Sequence, residues 1–168
     1  MIIVVMGVSG VGKTTVGKIL SEQTGWPFYD ADEFHSPENV AKMRGGVALT
    51  DADRRPWLDR LNALLREAGP SGRSAVLACS ALKQRYRDRL ARDVKDIRWV
   101  YLDGSFALIK ARLDVRKGHY MTAQLLQSQF DALEPPVDAL RVDVGPDPAT
   151  IVRHILETLP ALHPRLPT

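Results

Sequence analysis

A glycine-rich segment near the start of the chain has the residue types and spacing that bind a chain of phosphates. Residues 7–14 read Gly-Val-Ser-Gly-Val-Gly-Lys-Thr. The glycines let successive backbone N–H groups turn toward a phosphate, Lys13 can reach the β- and γ-phosphates, and the Thr14 hydroxyl can ligate Mg²⁺. This phosphate loop therefore predicts a nucleoside triphosphate site. The residues expected to contact the nucleotide are Gly7, Val8, Ser9, Gly10, Val11, Gly12, Lys13, Thr14 and Thr15.

Two carboxylates, Asp30 and Asp32, follow the short apolar segment 26–29. If that segment is the second strand of a sheet, both side chains leave its tip beside the phosphate loop. One carboxylate could orient or deprotonate an attacking hydroxyl, and the other could hold Mg²⁺ through water. Such a pair also suits a helix cap. We expect Asp32 to be the base and Asp30, with Thr14, to serve the metal, although the two aspartates could exchange roles.

Basic residues in three later segments could bind the anionic groups of the reactants. The first segment holds His35, Lys42 and Arg54, and the second has Lys83 and Arg87 one helical turn apart. Arginine and lysine recognise carboxylates and phosphates, but each of these residues could also lie on a solvated helix face. The residues expected to bind the acceptor substrate are Asp32, His35, Lys42, Arg54, Lys83, Arg87 and His119.

The third basic segment surrounds the irregular stretch 116–121. Arg112 and Arg116 are four residues apart, so they share one face of a helix. A basic lid there would exclude water and offset charge on a transferred phosphoryl group, whereas the alternative is an exposed basic helix end. Arg112 therefore joins the expected nucleotide contacts. The expected catalytic residues are Lys13, Asp32, Arg112 and Arg116.

The elements that must position these residues alternate between strands and helices. Apolar β-branched runs predict strands at 2–6, 26–29, 75–79, 98–102 and 140–144. Helical periodicity, with Ser36, Thr50 and Ser105 as N-caps, predicts helices at 14–24, 37–44, 50–69, 82–92, 105–113, 123–133 and 148–159. This order predicts an α/β P-loop NTPase fold with a five-stranded parallel sheet flanked by helices, whose ligands lie at the carboxyl ends of the strands. We expect one domain, 1–168, with a mobile lid at about 116–134 and a loose tail at about 160–168.

Composition limits the partners and the classes of protein. The 168 residues carry a net charge of +3, which anionic small molecules account for without nucleic acid. The single cysteine, Cys79, indicates a reducing compartment, and we expect a cytoplasmic protein with neither signal peptide nor membrane span. A GTPase would need Asp-x-x-Gly and Asn-Lys-x-Asp motifs, and motor ATPases usually carry an apolar run ending in Asp-Glu. All are missing. A small-molecule kinase is favoured over a non-catalytic nucleotide-binding regulator.

Several strings beyond the phosphate loop resemble the small P-loop gluconate kinases, often called thermoresistant gluconokinases. The resemblance runs from residue 1 to about 159. Its most specific strings are His-Ser-Pro-Glu-Asn at 35–39, Asp-Ala-Asp-Arg-Arg-Pro-Trp-Leu at 51–58 and Cys-Ser-Ala-Leu-Lys at 79–83. The segment Arg-Lys-Gly-His-Tyr-Met at 116–121 also matches. One departure is Ala48, where the family often has proline.

The resemblance implies ATP-dependent phosphorylation of D-gluconate at its 6-hydroxyl, giving 6-phosphogluconate in gluconate and pentose phosphate metabolism. It also implies ATP and Mg²⁺ as cofactors, a fold like those of shikimate and adenylate kinases, and a possible homodimer. Neither nucleic acid nor membrane is expected as a partner. Two questions stay open: whether Arg54, Lys83 or Arg87 holds the substrate carboxylate, and whether shikimate or another small hydroxy acid is the acceptor instead.

Overall fold

The computed structural model describes residues 1–68, 73–116 and 121–159. The strands are β1 (Ile2–Met6), β2 (Phe28–Asp30), β3 (Ala75–Ala78), β4 (Ile97–Asp103) and β5 (Leu140–Asp143). The α-helices are α1 (Lys13–Thr24), α2 (Pro37–Arg44), α3 (Asp51–Ala68), α4 (Gln84–Ala91), α5 (Phe106–Val115), α6 (Ala123–Ala132) and α7 (Pro148–Thr158). A 3₁₀ helix, Ala31–Phe34, follows β2 directly.

The strands form one parallel sheet in the order β2-β3-β1-β4-β5. The central strand β1 pairs with β3 on one side and β4 on the other, with Val4 opposite Leu77 and Trp99. The phosphate loop therefore leaves the carboxyl end of the middle strand, where successive crossovers run to opposite sides and a crevice opens. The predicted fold class is confirmed.

Alternate residues of β1 enter two different hydrophobic cores. Ile3 and Val5 pack in a cluster with residues of α1, α5, α6 and α7, whereas Ile2, Val4 and Met6 pack in a cluster with α3 and α4. All five residues of the strand are buried. Because both faces are covered, the strand is a continuous apolar run, as parallel strands commonly are.

The ends of the helices follow the predicted capping residues. The Ser36 and Ser105 side chains accept hydrogen bonds from backbone N–H groups of the first turns of α2 and α5. Thr50 and Asp53 cap α3 reciprocally, because each side chain accepts from the other's backbone N–H at 3.1 and 2.9 Å. The main local difference is that β2 begins at Phe28 and the 3₁₀ helix follows it, where the sequence indicated a strand from residue 26.

No helix among the described residues is long and apolar enough to cross a membrane. Residues 117–120, which belong to the predicted lid and include His119, lie outside the described part of the chain. The predicted tail, residues 160–168, also lies outside it.

Candidate active site

The phosphate loop has the backbone shape that its glycines predict. Gly7 has a φ of +144°, and a Cβ built on it would lie 2.8 Å from the Leu102 carbonyl oxygen, so a side chain is excluded there. Gly12 caps α1 with a φ of +107° and no side-chain hydrogen bond to the first turn. The first N–H groups of α1 and the positive end of its dipole are thus left for an anion.

Lys13 and Thr14 extend from the loop toward the tip of β2. The Lys13 ammonium donates to the Val8 carbonyl at 2.9 Å, and the Thr14 hydroxyl donates to Asp30 Oδ2 at 2.8 Å. Asp30 Oδ1 accepts from the backbone N–H of Asp32 at 3.0 Å and so caps the 3₁₀ helix. Asp30 therefore orients the Thr14 hydroxyl, while Asp32 lies in the 3₁₀ helix that follows.

The Thr14 and Asp30 oxygens fit Mg²⁺, which prefers oxygen ligands and is commonly held by one or two side chains together with substrate phosphates. The described residues contain no group of three or more His, Cys, Asp or Glu side chains that could hold a metal by themselves. Thr14 and Asp30 thus suit a metal ion that binds together with a nucleotide.

A polar pocket lies on one side of the loop and brings together five of the predicted site residues, Ser9 among them. Lys13, Asp32, His35 and Arg54 all line it. The loop, the 3₁₀ helix and the first turns of α3 supply these residues from three separate parts of the chain. Further polar groups of the same pocket come from Ser9, Ser80, Ser128 and Gln129.

His35 is held rigidly at this polar pocket. Its ring stacks on the buried Trp57 with the centroids 4.2 Å apart, and Trp57 Nε1 donates to the Ala31 carbonyl at 2.7 Å. Burial, with a smaller contribution from the Arg54 charge, lowers the pKa of His35 to about 4, so the imidazole is neutral at pH 7. Its Nδ1 is buried and has no hydrogen-bond partner among the described residues. A neutral ring with an unused polar atom suits a hydroxyl-bearing ligand.

Arg54 supplies a cation to the polar pocket. Its guanidinium carbon lies 5.5 Å from the centre of the Tyr86 ring, and its Nε is buried without a hydrogen-bond partner in the described ranges. Buried polar groups of proteins are nearly always paired, so an unused donor in a pocket points to a ligand. Of the basic residues considered for a substrate carboxylate, Arg54 is the one that lines the pocket.

An outer cleft of about 560 Å³ lies on the other side of the loop. It collects Arg112 and Arg116 together with the predicted nucleotide residues Gly10, Val11, Gly12 and Thr15. Arg112 Nη2 donates to the Val144 carbonyl at 2.6 Å and so connects α5 to the loop before α7. The phosphate loop therefore separates the polar pocket from the outer cleft. The Lys13 side chain lines the polar pocket.

Comparisons with known proteins agree with this geometry. A family model described as shikimate kinase matches residues 9–159. A probable gluconokinase from Mus musculus is 45% identical, over 94% of this chain and 97% of the relative. A gluconokinase from Gluconobacter oxydans (strain 621H) is also 45% identical, over 92% of this chain and 88% of the relative. The chain belongs to the gluconokinase family.

A solved structure supports the same assignment. The crystal structure of a gluconokinase from Sinorhizobium meliloti 1021 is 43% identical, covers 95% of this chain and 91% of its own, and superposes with a TM-score of 0.86. The resemblance that the sequence motifs indicated is thereby confirmed. The kinase class is confirmed with it, because gluconokinases are P-loop phosphotransferases.

Three basic residues predicted to bind substrate lie elsewhere in this gluconokinase family member. Lys42 is exposed and pairs with Asp53 at 2.9 Å, outside the polar pocket. Hydrogen bonding from Lys42, followed by that from Thr50, lowers the pKa of Asp53 to about 2. Lys83 lies beside Tyr86, outside the pocket lining, with its ammonium 3.5 Å from Asp51. These side chains have protein partners, and neither is brought to the pocket.

Arg87 is the third, and it is buried outside the lining of the polar pocket. Only 3% of the residue is exposed. Its guanidinium donates to the carbonyls of Ala81, Leu82 and Glu134 at 2.9–3.1 Å and to the side chain of Gln84. Ala81 follows Ser80 of the pocket and has a φ of 43°, a left-handed conformation that costs free energy. Arg87 thus stabilises the turn after β3 and the segment after α6.

Replacing Arg87 by methionine is expected to lower the free energy of unfolding by about 3 kcal/mol, because buried carbonyls lose a charged donor. Urea unfolding of wild type and variant measures the difference. Arg85→Met is the control: this residue lies on the same helix, with 60% of its side chain exposed in an ion pair with Asp51. The control should cost less than about 1 kcal/mol. Equal losses in the two variants would contradict the structural role of Arg87.

Two polar residues of the pocket, Ser128 and Gln129, were not expected from the sequence. They lie on α6, whose helical pattern is readable, but a serine and a glutamine on a helix give no chemical motif. Only the contact between Gln129 Oε1 and the backbone N–H of Ser9, at 2.7 Å, shows that α6 reaches the phosphate loop. Residues 144–148 line the outer cleft, and no chemical motif marks them in the sequence.

Proposed function

We propose that this protein transfers the γ-phosphoryl group of ATP to the 6-hydroxyl of D-gluconate, giving 6-phosphogluconate for gluconate and pentose phosphate metabolism. One observation carries the proposal: Lys13 of the phosphate loop lines the same pocket as Asp32, His35 and Arg54. A phosphoryl group held by Lys13 would therefore face an acceptor held by the other three. The names of the relatives from mouse and Gluconobacter support gluconate as that acceptor.

On the nucleotide side, the phosphates would lie along the loop and the nucleoside in the outer cleft. Arg112 and Arg116 line that cleft and would offset charge on the phosphates. Thr14 and Asp30 would hold Mg²⁺, which would neutralise negative charge on the phosphates during transfer. Closure of a lid over the triphosphate would exclude water from the transfer.

On the acceptor side, the pocket offers one cation for a carboxylate and several neutral groups for hydroxyls. Arg54 would hold the carboxylate of gluconate, and the neutral His35 ring would contact a hydroxyl. Asp32, exposed at the pocket, would orient the 6-hydroxyl and accept its proton as the oxygen attacks phosphorus. The expected cytoplasmic location and homodimer belong to the same proposal.

The test is release of ADP, coupled to a reporter reaction, with MgATP and a panel of D-gluconate, shikimate, glycerate, glucose and AMP. We expect turnover with gluconate and little with the others. Shikimate is the second candidate because the matching family model is described as shikimate kinase. Turnover with shikimate alone would show that shikimate, and not gluconate, is the acceptor, and would leave the phosphotransferase activity established. If ATP binds but no compound of the panel causes release of ADP, the protein would be a nucleotide-binding regulator.

A further inference from the structure

Gln129 of α6 connects the far wall of the polar pocket to the phosphate loop. The backbone N–H of Ser9 donates to Gln129 Oε1 at 2.7 Å, across 120 positions in the chain. Both residues line the polar pocket, as do Lys13 and Asp32. The Gln129 carboxamide therefore lies between the loop that would hold the donor phosphates and the groups that would hold the acceptor.

Only half of this carboxamide is used within the protein. A glutamine amide has one acceptor oxygen and an NH₂ group that donates two hydrogen bonds. The oxygen of Gln129 accepts from Ser9, whereas its Nε2 has no hydrogen bond to any residue of the described ranges. Because the oxygen is anchored, the amide plane has little freedom, and its donor is available to a ligand in the pocket.

The helix that carries Gln129 is capped at its start and attached to other elements beyond its end. At its start, the Thr122 hydroxyl accepts from the backbone N–H of Leu125 at 3.1 Å. Beyond its end, Glu134 donates its backbone N–H to the Leu82 carbonyl at 2.9 Å and accepts from the Gln84 N–H at 2.7 Å and from Arg87. Side chains on such a support keep their position to within the tolerance that specific recognition needs.

We propose that Gln129 determines which polyhydroxy acid is accepted. Its Nε2 donates a hydrogen bond to one chain hydroxyl of the substrate while its Oε1 remains bonded to the Ser9 N–H. This inference rests on the proposed function, and it adds a specificity residue to it. A neutral donor reads the position and configuration of a hydroxyl, whereas Arg54 reads only the carboxylate charge. The bond to Ser9 places that hydroxyl at a defined distance from the phosphate loop.

The experiment compares Gln129→Met, which loses both the donor and the acceptor, with Gln129→Glu, which keeps an oxygen for Ser9 and loses the donor. Gln127→Met is the matched control, because Gln127 is exposed on the same helix and bonds only Asp131 among the described residues. Values of kcat and KM are measured at saturating MgATP for D-gluconate and its epimers at C2, C3 and C4, which are D-mannonate, D-allonate and D-galactonate. Melting temperatures are recorded for every variant.

We expect both Gln129 variants to raise the KM for gluconate and to reduce the preference for gluconate over one epimer, each by about 10-fold. The KM for ATP should stay within about twofold of wild type in Gln129→Met, whereas the added negative charge of Gln129→Glu should also raise it. Gln127→Met should match wild type throughout. Unchanged preferences in both variants would overturn the inference and leave Gln129 a structural link. If the melting temperature of Gln129→Met is well below that of wild type, the preference of Gln129→Glu for gluconate over the epimers decides whether Gln129 sets specificity. Wild-type inactivity toward all four acids would instead overturn the proposed function, and the inference with it.

Discussion

The Asp32→Asn variant is expected to bind MgATP as wild type does and to phosphorylate gluconate about 10²–10⁴-fold more slowly. The asparagine amide has the shape of the carboxylate but cannot accept a proton from the attacking hydroxyl. Asp32 is exposed at the pocket and does not belong to the phosphate loop itself, so its loss should spare nucleotide binding. The rate constant for turnover, rather than the affinity for ATP, is therefore the quantity that should change.

The measurement is kcat with gluconate at saturating MgATP, together with the dissociation constant of MgATP from calorimetry. Glu33→Gln is the matched control, because Glu33 is the next residue of the same 3₁₀ helix, is exposed and loses the same charge. It should retain near-normal turnover. If Asp32→Asn also turned over normally, Asp32 would not be the base. A collapse of kcat in Asp30→Asn alone would then assign that role to Asp30.

The contacts of the two aspartates favour different roles for them. Both carboxylate oxygens of Asp30 already accept hydrogen bonds, one from the Thr14 hydroxyl and one from the Asp32 backbone N–H. A carboxylate held in this way is a good partner for a metal and its ligands, and Asp30 is not among the residues that line the polar pocket. Asp32 lines the pocket itself. The sequence left this choice open because spacing alone does not show which way each side chain leaves the strand.

The sheet and most helix ends were predictable because their causes are local. Runs of β-branched residues formed buried parallel strands, and Ser36, Thr50 and Ser105 capped the helices that follow them. The phosphate loop was equally readable, since its glycines are required by backbone angles and not by distant contacts. The 3₁₀ helix was not predicted because its four residues are too few to show a helical pattern, although a helix cap had been considered for the two aspartates.

The basic residues were harder to place, because residue type does not reveal burial. Arg87 and Arg54 have the same side chain, yet Arg87 binds buried carbonyls while Arg54 faces the pocket. The difference comes from Glu134, which lies 47 positions from Arg87 and supplies one of those carbonyls. Gln129 was missed for the same reason, since its importance depends on a contact with Ser9 that only the folded chain creates.

Lys13 combines an expected functional requirement with a cost in stability. Burial lowers the pKa of its ammonium group, although the nearby Asp32 and Asp30 carboxylates partly oppose that shift. The unfolded chain therefore holds this proton more strongly than the folded one. Stability contributed by this site rises with pH from the lowered folded pKa up to the ordinary lysine value, so the protonated side chain opposes folding. A bound triphosphate would supply the missing negative charge.

Lys13→Met should accordingly lose function without losing stability. We expect kcat/KM to fall by roughly 10³-fold, because a preorganised charge beside the transferred phosphoryl group is removed. The melting temperature of the ligand-free variant should be equal to or above that of wild type. MgATP should raise the melting temperature of wild type, as any ligand of the native state does, and raise that of the variant much less.

The control for this pair of measurements is Lys18→Met, which removes an exposed lysine from the same helix. It should keep both activity and the MgATP-dependent shift in melting temperature. Activity retained in Lys13→Met would refute the assignment of the phosphate loop. A lower melting temperature in Lys13→Met alone would show that the lysine stabilises the ligand-free fold, contrary to the direction of its pKa. The expected combination, a stable but inactive protein, arises only if the loop holds its cation in place for a phosphate that the fold itself does not contain.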